Sequence, residues 1–153
     1  MNVIAPVSSI MSTQLLTVNA EDNLNAVSEI FKKHQIHHIP VVAEKQILGI
    51  ISYSDFSHFV KGMDTYEEKE VKMHRLLNTK AADIMTKGLA KLEPDDRIDV
   101  AVNIFKDNRF HALPVVKDDE LVGIVTTHDI IQLLADEKIL DEYYKMVAIA
   151  DHK

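Results

Sequence analysis

Two short stretches of the chain place a hydroxyl group and a carboxylate at the same spacing. "GIISYSD" at 49–55 and "GIVTTHD" at 123–129 each contain a glycine, two β-branched residues, a hydroxyl side chain, two variable positions and an aspartate. A carboxylate at the start of a helix can accept hydrogen bonds from both hydroxyls of a ribose, as acidic residues do at dinucleotide sites. Helix N-termini also bind polar ligands. The stretches therefore predict two ligand contacts, one at Asp55 and one at Asp129.

The same residues have a purely structural interpretation. A serine or threonine followed three residues later by an acid is close to a capping box. Ser52 and Thr126 would then cap backbone N–H groups, while Asp55 and Asp129 would favour the positive end of the helix dipole. Capping and ligand binding are compatible, so both interpretations stay open.

The two stretches belong to a longer internal repeat. A shift of 74 positions places residues 10–60 over 84–134 without a gap, and 14 of the 51 pairs are identical. "IMS" meets "IMT", and "EIFKKHQIHHIPVV" meets "NIFKDNRFHALPVV". Two copies are too few for a solenoid, so the sequence predicts a duplicated small domain.

Each copy predicts the same order of elements. Apolar residues at helical spacing in 22–34, two β-branched runs separated by four polar residues, and a second apolar-periodic segment after the aspartate predict a β-α-β-β-α unit. The fold class is therefore α+β, with two repeats packed as a pseudo-twofold pair. We predict a first repeat at 1–60, a linker helix at 61–80 and a second repeat at 81–153. The apolar residues of 136–147 predict a C-terminal helix that packs on the linker helix or on a second subunit.

The doubled pattern "IM[ST]…[IL]PVV…G-I-[IV]-[ST]-x-x-D" resembles a tandem pair of CBS domains, the Bateman module. The resemblance covers about 10–60 and 84–134. It implies two clefts between the repeats that bind adenosine-containing ligands: AMP first, with ADP, ATP or S-adenosylmethionine as alternatives. It also implies a homodimer that senses energy or metabolite state, with no catalysis and no catalytic cofactor.

The resemblance also implies which residues line each cleft, from the hydroxyl and carboxylate of one repeat and the residues before the Pro-Val strand of the other. The first cleft would combine Thr126, His128, Asp129, His37 and His38. The second would combine Ser52, Ser54, Asp55, His111 and Ala112. Because the second set offers fewer phosphate partners, we expect the Asp129 cleft to be the tighter one.

The adenine ring would lie against apolar strand edges near 17–20 or 91–94, and near 39–40 or 113–114. This assignment adds three residues to the expected sites: Thr17, Pro40 and Pro114. If the histidines contact phosphate, affinity should rise as the pH falls from about 8 to about 6, because the unperturbed histidine pKa is near 6.5.

Composition narrows the function further. The chain has no cysteine and four glycines, which leaves no thiolate chemistry and little room for a Gly-rich phosphate loop. Its net charge of −7 disfavours nucleic acid and anionic lipid. No apolar run is long enough to span a membrane and no signal peptide is visible, so we expect a cytoplasmic protein.

Three histidines form the pattern H-x-x-H-H at 34–38, a spacing that zinc could use if the side chains converged. Because His34 is predicted to end a helix and His37 and His38 to lead into a strand, we predict no metal site. The sequence thus favours an adenine-nucleotide sensor that acts on an unidentified effector protein. The alternative is a ligand-free interaction module that dimerises and docks on a partner.

Overall fold

The computed structural model describes residues 2–63 and 66–137, and these form an α+β fold built from two similar halves. The predicted segment 138–153, with most of the expected C-terminal helix, lies outside the described residues. The helices are a short 3-10 turn at Val7–Ser9, α1 Leu24–Lys33, α2 Tyr53–Lys61, α3 Lys69–Asn78, α4 Ala81–Ile84, α5 Ile98–Asp107 and α6 at 127–137. The strands are β1 Val18–Asn19, β2 His38–Ala43, β3 Gln46–Ser52, β4 Ala112–Lys117 and β5 Glu120–Thr126.

Each half contains a hairpin with the same register. β2 pairs antiparallel with β3 and β4 with β5, and both hairpins have an irregularity between two consecutive valines. β1 lies parallel to β2, whereas in the second half a single parallel bridge, between Leu92 and Val115, takes its place. The turns are shorter than the polar runs suggested. In the second half the turn is Asp118 and Asp119, both at positive φ, a conformation that aspartate tolerates well.

The two halves share one apolar layer. Each half has its own core, in which a helix packs on the hairpin, and a third cluster joins them. Its members come from both hairpins: Val42, Ile47, Ile50, Ala112 and Ile124. The backbone N–H of Leu121 also donates to the carbonyl of Lys45 at 2.9 Å. The predicted pseudo-twofold packing is therefore confirmed, and it is this contact that brings the two predicted polar stretches to opposite sides of one interface.

The N-terminal segments of the two repeats are exchanged, which the order of residues along the chain did not predict. Val7 is fully buried in the core of the second half, and Ala81, its counterpart 74 positions later, is fully buried in the core of the first. Ser12 exchanges two backbone hydrogen bonds with Ile124 at 2.9 and 3.0 Å. Thr86 exchanges two with Ile50 at 2.9 and 3.0 Å. Each segment thus completes the other repeat.

Two glycines make this exchange possible. A Cβ on Gly49 would lie 2.7 Å from the carbonyl oxygen of Thr86 and 2.8 Å from the sulfur of Met85. A Cβ on Gly123 would lie 2.6 Å from the sulfur of Met11. A Cβ at either position would force atoms of the exchanged segment to shift, which explains the glycine that opens each polar stretch.

Within 61–80, the structure contains α3, whose Leu76 packs against the core of the first half. Other apolar side chains of this helix, including Val71, Met73 and Leu77, are exposed. Tyr66, which precedes this helix, is 94% exposed.

Candidate ligand-binding clefts

The first polar stretch ends β3 and begins α2, and its side chains form a capping box. The Ser52 hydroxyl accepts the N–H of Asp55 at 3.0 Å, and Asp55 Oδ2 accepts the N–H of Ser52 at 3.0 Å. The helix begins at Tyr53, three residues earlier than the sequence suggested, so the carboxylate lies in its first turn.

The second polar stretch has the same arrangement with one more hydrogen bond. Asp129 Oδ2 accepts both the N–H of Thr126 at 2.7 Å and its hydroxyl at 2.8 Å. The N–H of Asp129 lies 3.3 Å from that hydroxyl oxygen, a longer contact. The structural interpretation of the repeated stretch therefore holds at both sites.

Capping occupies only one oxygen of each carboxylate. In both Asp55 and Asp129 the capping hydrogen bonds all reach Oδ2, and no described residue donates to Oδ1. Neither Oδ1 is a fully buried atom without a partner, and both side chains are only partly buried. One acceptor per helix start thus remains available to a ligand hydroxyl, and capping and binding can coexist.

Backbone hydrogen bonds fix the loops that precede β2 and β4 against the helix starts. The carbonyl of His37 accepts the N–H of Tyr53 at 2.8 Å, and that of His111 accepts the N–H of Thr127 at 3.0 Å. The pseudo-twofold packing then sets the loop of one repeat opposite the helix start of the other.

The larger of two clefts, about 390 Å³, opens between the first loop and the start of α6. It brings together six of the residues expected from the sequence: His37, His38, Pro40, Thr126, His128 and Asp129. Leu15, Leu16, Ile36 and Ile124 add apolar lining. We refer to it below as the Asp129 cleft.

The smaller cleft, about 230 Å³, lies on the other side of the interface, at the start of α2. It brings together five expected residues: Ser52, Ser54, Asp55, His111 and Ala112. We refer to it below as the Asp55 cleft. His38 lines this cleft as well as the larger one, so a single half-buried side chain forms part of both walls.

Two of the expected residues line neither cleft. Thr17 is exposed just before β1, and the neighbouring Leu15 and Leu16 line the Asp129 cleft instead. Pro114 is fully buried within β4, where its carbonyl accepts the N–H of Leu92 at 2.9 Å. The second half encloses this proline, whereas its counterpart Pro40 faces the larger cleft.

Sequence reasoning missed one charged residue. Arg109 lines the Asp55 cleft, so this cleft contains a cation that the expectation of fewer phosphate partners did not count. That expectation considered only His111 and Ala112, at the start of β4, whereas the loop places Arg109, three residues before the strand, at the cleft. The signal was present in the alignment of the repeats, which sets Arg109 opposite Gln35.

Partial burial makes His38 harder to protonate than an ordinary histidine. Desolvation, followed by the nearby His111 and His37, lowers the pKa of His38 below its ordinary value of 6.5, and the Asp55 carboxylate opposes this shift. His38 is therefore neutral at pH 7 and can donate or accept a hydrogen bond without adding charge to either cleft.

The histidine pattern at 34–38 does not build a metal centre in the described residues. Within 2–63 and 66–137 there is no group of three histidine, aspartate or glutamate side chains placed to hold a metal ion. Over the same residues, no helix is both long and apolar enough to cross a bilayer.

Comparison with known proteins identifies the architecture. The CBS domain family matches the chain twice, at residues 7–62 and 81–136. The chain therefore belongs to the CBS domain family, as a tandem pair, and the resemblance seen in the sequence is confirmed.

Solved structures and relatives agree with this assignment. The CBS domain pair of protein MJ0100, in complex with 5′-methylthioadenosine and S-adenosyl-L-methionine, is 27% identical, with a TM-score of 0.71 over 88% of this chain and 98% of that one. A CBS domain from a membrane protein of Sphaerobacter thermophilus is 28% identical, with a TM-score of 0.72 over 86% and 89% of the two chains. Uncharacterized protein MJ1426 of Methanocaldococcus jannaschii is 30% identical over 78% of this chain and 85% of its own length.

Several other curated relatives are longer than the region they share with this protein. The chain spans 49%, 24% and 44% of three of them, which include a homoserine O-acetyltransferase of Methanohalobium evestigatum. In these proteins the matched region is one part of a longer chain.

Proposed function

We propose that this CBS pair is a non-catalytic regulatory module that binds an adenine nucleotide, or a related adenosine compound, in the clefts between its repeats. The observation that carries the proposal is the free Oδ1 of Asp55 and of Asp129, each at a helix start that lines a cleft between the repeats. The similar CBS pair of MJ0100, in complex with two adenosine compounds, supports the same ligand class.

The contacts available are sufficient for a regulatory affinity. A hydrogen bond to a charged group contributes about 1.5–3 kcal/mol, and an apolar ring gains roughly 25 cal/mol per Å² removed from water. Leu15, Ile36 and Pro40 provide such an apolar wall in the Asp129 cleft. Contributions of this size are what micromolar binding, about −8 kcal/mol, requires after the entropic cost of association.

A ligand between the repeats can regulate only through its preference for one arrangement of the halves. Because both clefts are built from residues of both repeats, a bound ligand contacts the two halves at once. A change in their relative angle would alter the surface offered to an effector protein.

Exposed apolar residues favour assembly as a second property of the module. Tyr53 and Val60 on α2 and Ile131 and Leu134 on α6 are all at least 40% exposed. We propose that these helices form the homodimer contact. Should no ligand bind, docking through this surface is the alternative function.

Isothermal titration calorimetry with AMP, ADP, ATP, S-adenosylmethionine and adenosine tests the proposal. We expect at least one compound to bind the native chain with micromolar affinity, and Asp55→Asn or Asp129→Asn to weaken it at least tenfold. Asn keeps the oxygen that caps the helix but removes the charge. Asp83→Asn is a matched control, because Asp83 caps the N–H of Lys80 at 2.8 Å and lines neither cleft. Absence of binding by every compound at millimolar concentration contradicts the proposal.

A further inference from the structure

The two clefts differ in the charge of the side chain at one pair of equivalent positions. Gln35 lines the Asp129 cleft, and Arg109, its counterpart 74 positions later, lines the Asp55 cleft. Both side chains are exposed, so both lie towards the mouth of their cleft. The backbone frame is the same, and the duplicated fold has therefore placed a neutral amide and a guanidinium at matching places.

The other ionisable side chains that line the clefts do not cancel this difference in charge. Apart from its histidines, the Asp129 cleft is lined by a single ionisable side chain, the Asp129 carboxylate, among the residues the structure describes. In the Asp55 cleft the described lining pairs one carboxylate, Asp55, with one cation, Arg109. No ion pair links Arg109 to another described residue, so its donors are free for a ligand.

We propose that the two clefts select adenosine ligands by charge: the Asp55 cleft takes a phosphorylated adenosine, bound through Arg109, and the Asp129 cleft takes an adenosine compound without phosphate. This inference rests on the proposed function and assigns a ligand class to each cleft.

Electrostatics give the direction of the preference. An arginine binds phosphate through two parallel, charge-assisted hydrogen bonds, a geometry that no neutral side chain reproduces. In the Asp129 cleft, the phosphate would instead meet the field of a carboxylate with no permanent cation among the described lining residues. His38 does not offset that field at neutral pH, because burial lowers its pKa.

The chemistry of the larger cleft suits an uncharged nucleoside. Asp129 Oδ1 can accept the ribose hydroxyls, while Leu15, Leu16 and Ile36 offer an apolar surface for the base and for an apolar 5′ substituent. Gln35 can form a neutral hydrogen bond at the mouth. No part of this set requires a ligand charge.

AMP and adenosine differ only in the phosphate, so their affinity ratio measures the selectivity of each cleft. The two ligands are titrated at pH 7.5 into Asp129→Asn, which leaves the Asp55 cleft intact, and into Asp55→Asn, which leaves the Asp129 cleft intact. We expect AMP to bind Asp129→Asn at least tenfold more tightly than adenosine. In Asp55→Asn we expect adenosine to bind at least threefold more tightly than AMP.

Exchanging the two mouth residues provides the matched test. Adding Arg109→Gln to Asp129→Asn should lower AMP affinity at least tenfold and change adenosine affinity less than twofold. Adding Gln35→Arg to Asp55→Asn should make AMP the preferred ligand. Arg97→Gln, a change outside both clefts, should leave both ratios unchanged.

The outcomes separate the two proposals. If both clefts prefer the same ligand, or if Arg109→Gln weakens AMP and adenosine equally, the selection by charge is wrong while the proposed function stands. If the native chain binds neither compound nor any other adenosine ligand, the proposed function is wrong, and this inference with it. Circular dichroism and thermal unfolding confirm that each variant is folded before its titration is interpreted.

Discussion

The two clefts of this CBS pair have the same backbone arrangement and differ in their side chains. Both are bounded by a capped helix start from one repeat and a loop from the other, related by the same offset of 74 positions. One is larger and apolar with a neutral mouth, whereas the other is smaller and carries an arginine. Duplication thus preserved the hydrogen-bonded frame, which folding requires, and allowed the mouth residues, which folding does not require, to diverge.

A second difference lies deeper, where His38 occupies the position equivalent to Ala112. Ala112 is buried in the cluster that joins the two hairpins. The larger imidazole of His38 extends further and lines both clefts, so a ligand in either one can contact it. The two clefts therefore adjoin through one side chain, which has no equivalent at position 112.

The largest effect should come from the glycines that let the exchanged segments approach the hairpins. Gly49→Ala places a Cβ 2.7 Å from a backbone oxygen of Thr86, which cannot rotate away, so we expect a loss of about 1–3 kcal/mol in the free energy of unfolding. Gly123→Ala should cost less, because its nearest atom belongs to the flexible side chain of Met11. Urea denaturation measures both.

Gly62→Ala is the control for these substitutions. Its Cβ would lie 3.3 Å from the carbonyl of Phe59 and the backbone has an ordinary negative φ, so a change within about 0.5 kcal/mol is expected. Equal stability of Gly49→Ala and Gly62→Ala would contradict the role assigned to the exchanged segments. Gly49→Ala should also weaken the Asp55 cleft more than the Asp129 cleft, since Thr86 lines only the former.

A smaller effect should distinguish the two capping carboxylates. Asp129 Oδ2 accepts two hydrogen bonds from Thr126, at 2.7 and 2.8 Å, whereas Asp55 Oδ2 accepts one, at 3.0 Å. Removing a capping side chain costs about 0.5–2 kcal/mol. We therefore expect Asp129→Ala to destabilise the chain more than Asp55→Ala, as measured by chemical denaturation without ligand. The reverse order would show that the capping geometry does not set the stability of these helix starts.

The smallest effect is the dependence of stability on pH through His38. Its pKa in the folded chain is lowered, chiefly by burial, so below pH 6.5 the unfolded chain takes up a proton that the folded chain resists. The stability contributed by neutral His38 is present above 6.5 and is lost as the pH falls towards the lowered pKa. His38→Gln should lose less stability than the native chain between about pH 7.5 and about pH 5.5.

His74→Gln, a change on the exposed surface of α3, is the control for that measurement. Parallel stability curves for the native chain and His38→Gln would contradict the assignment to His38. The lowered pKa also shifts the pH dependence expected from the sequence, because His38 would take up the proton that attracts a phosphate at lower pH than an ordinary histidine does.

The fold could be predicted from the sequence because the spacing of the repeated residues indicates the order of helices and strands. The offset of 74 positions, the apolar periods and the glycine that opens each polar stretch predict two β-α-β-β-α units, and the pairing of both hairpins agrees. The exchange of Val7 and Ala81 between the halves could not be predicted, because apolar spacing indicates that a residue is buried but not in which core.

The sequence located the clefts better than it located their lining. Residues next to the motif, such as Asp55, Asp129 and His37, do line a cleft, because strands and helix starts fix their positions. Arg109 was missed because its position depends on the path of a loop, and loop residues follow no apolar periodicity that indicates where a side chain lies. Thr17 is the converse case: it was expected in a site, whereas the structure places the preceding Leu15 and Leu16 in the lining of the Asp129 cleft.

Site-resolved NMR on the native chain tests the central claim most directly. Amide signals of 15N-labelled protein are followed during titration with AMP and, separately, with adenosine. We predict that AMP first shifts the signals of Ser52, Asp55 and Arg109, and that adenosine first shifts those of Gln35, Thr126 and Asp129. Shifts of one and the same set by both ligands would contradict the division of the clefts by charge, and no shift with either ligand would contradict adenosine binding itself.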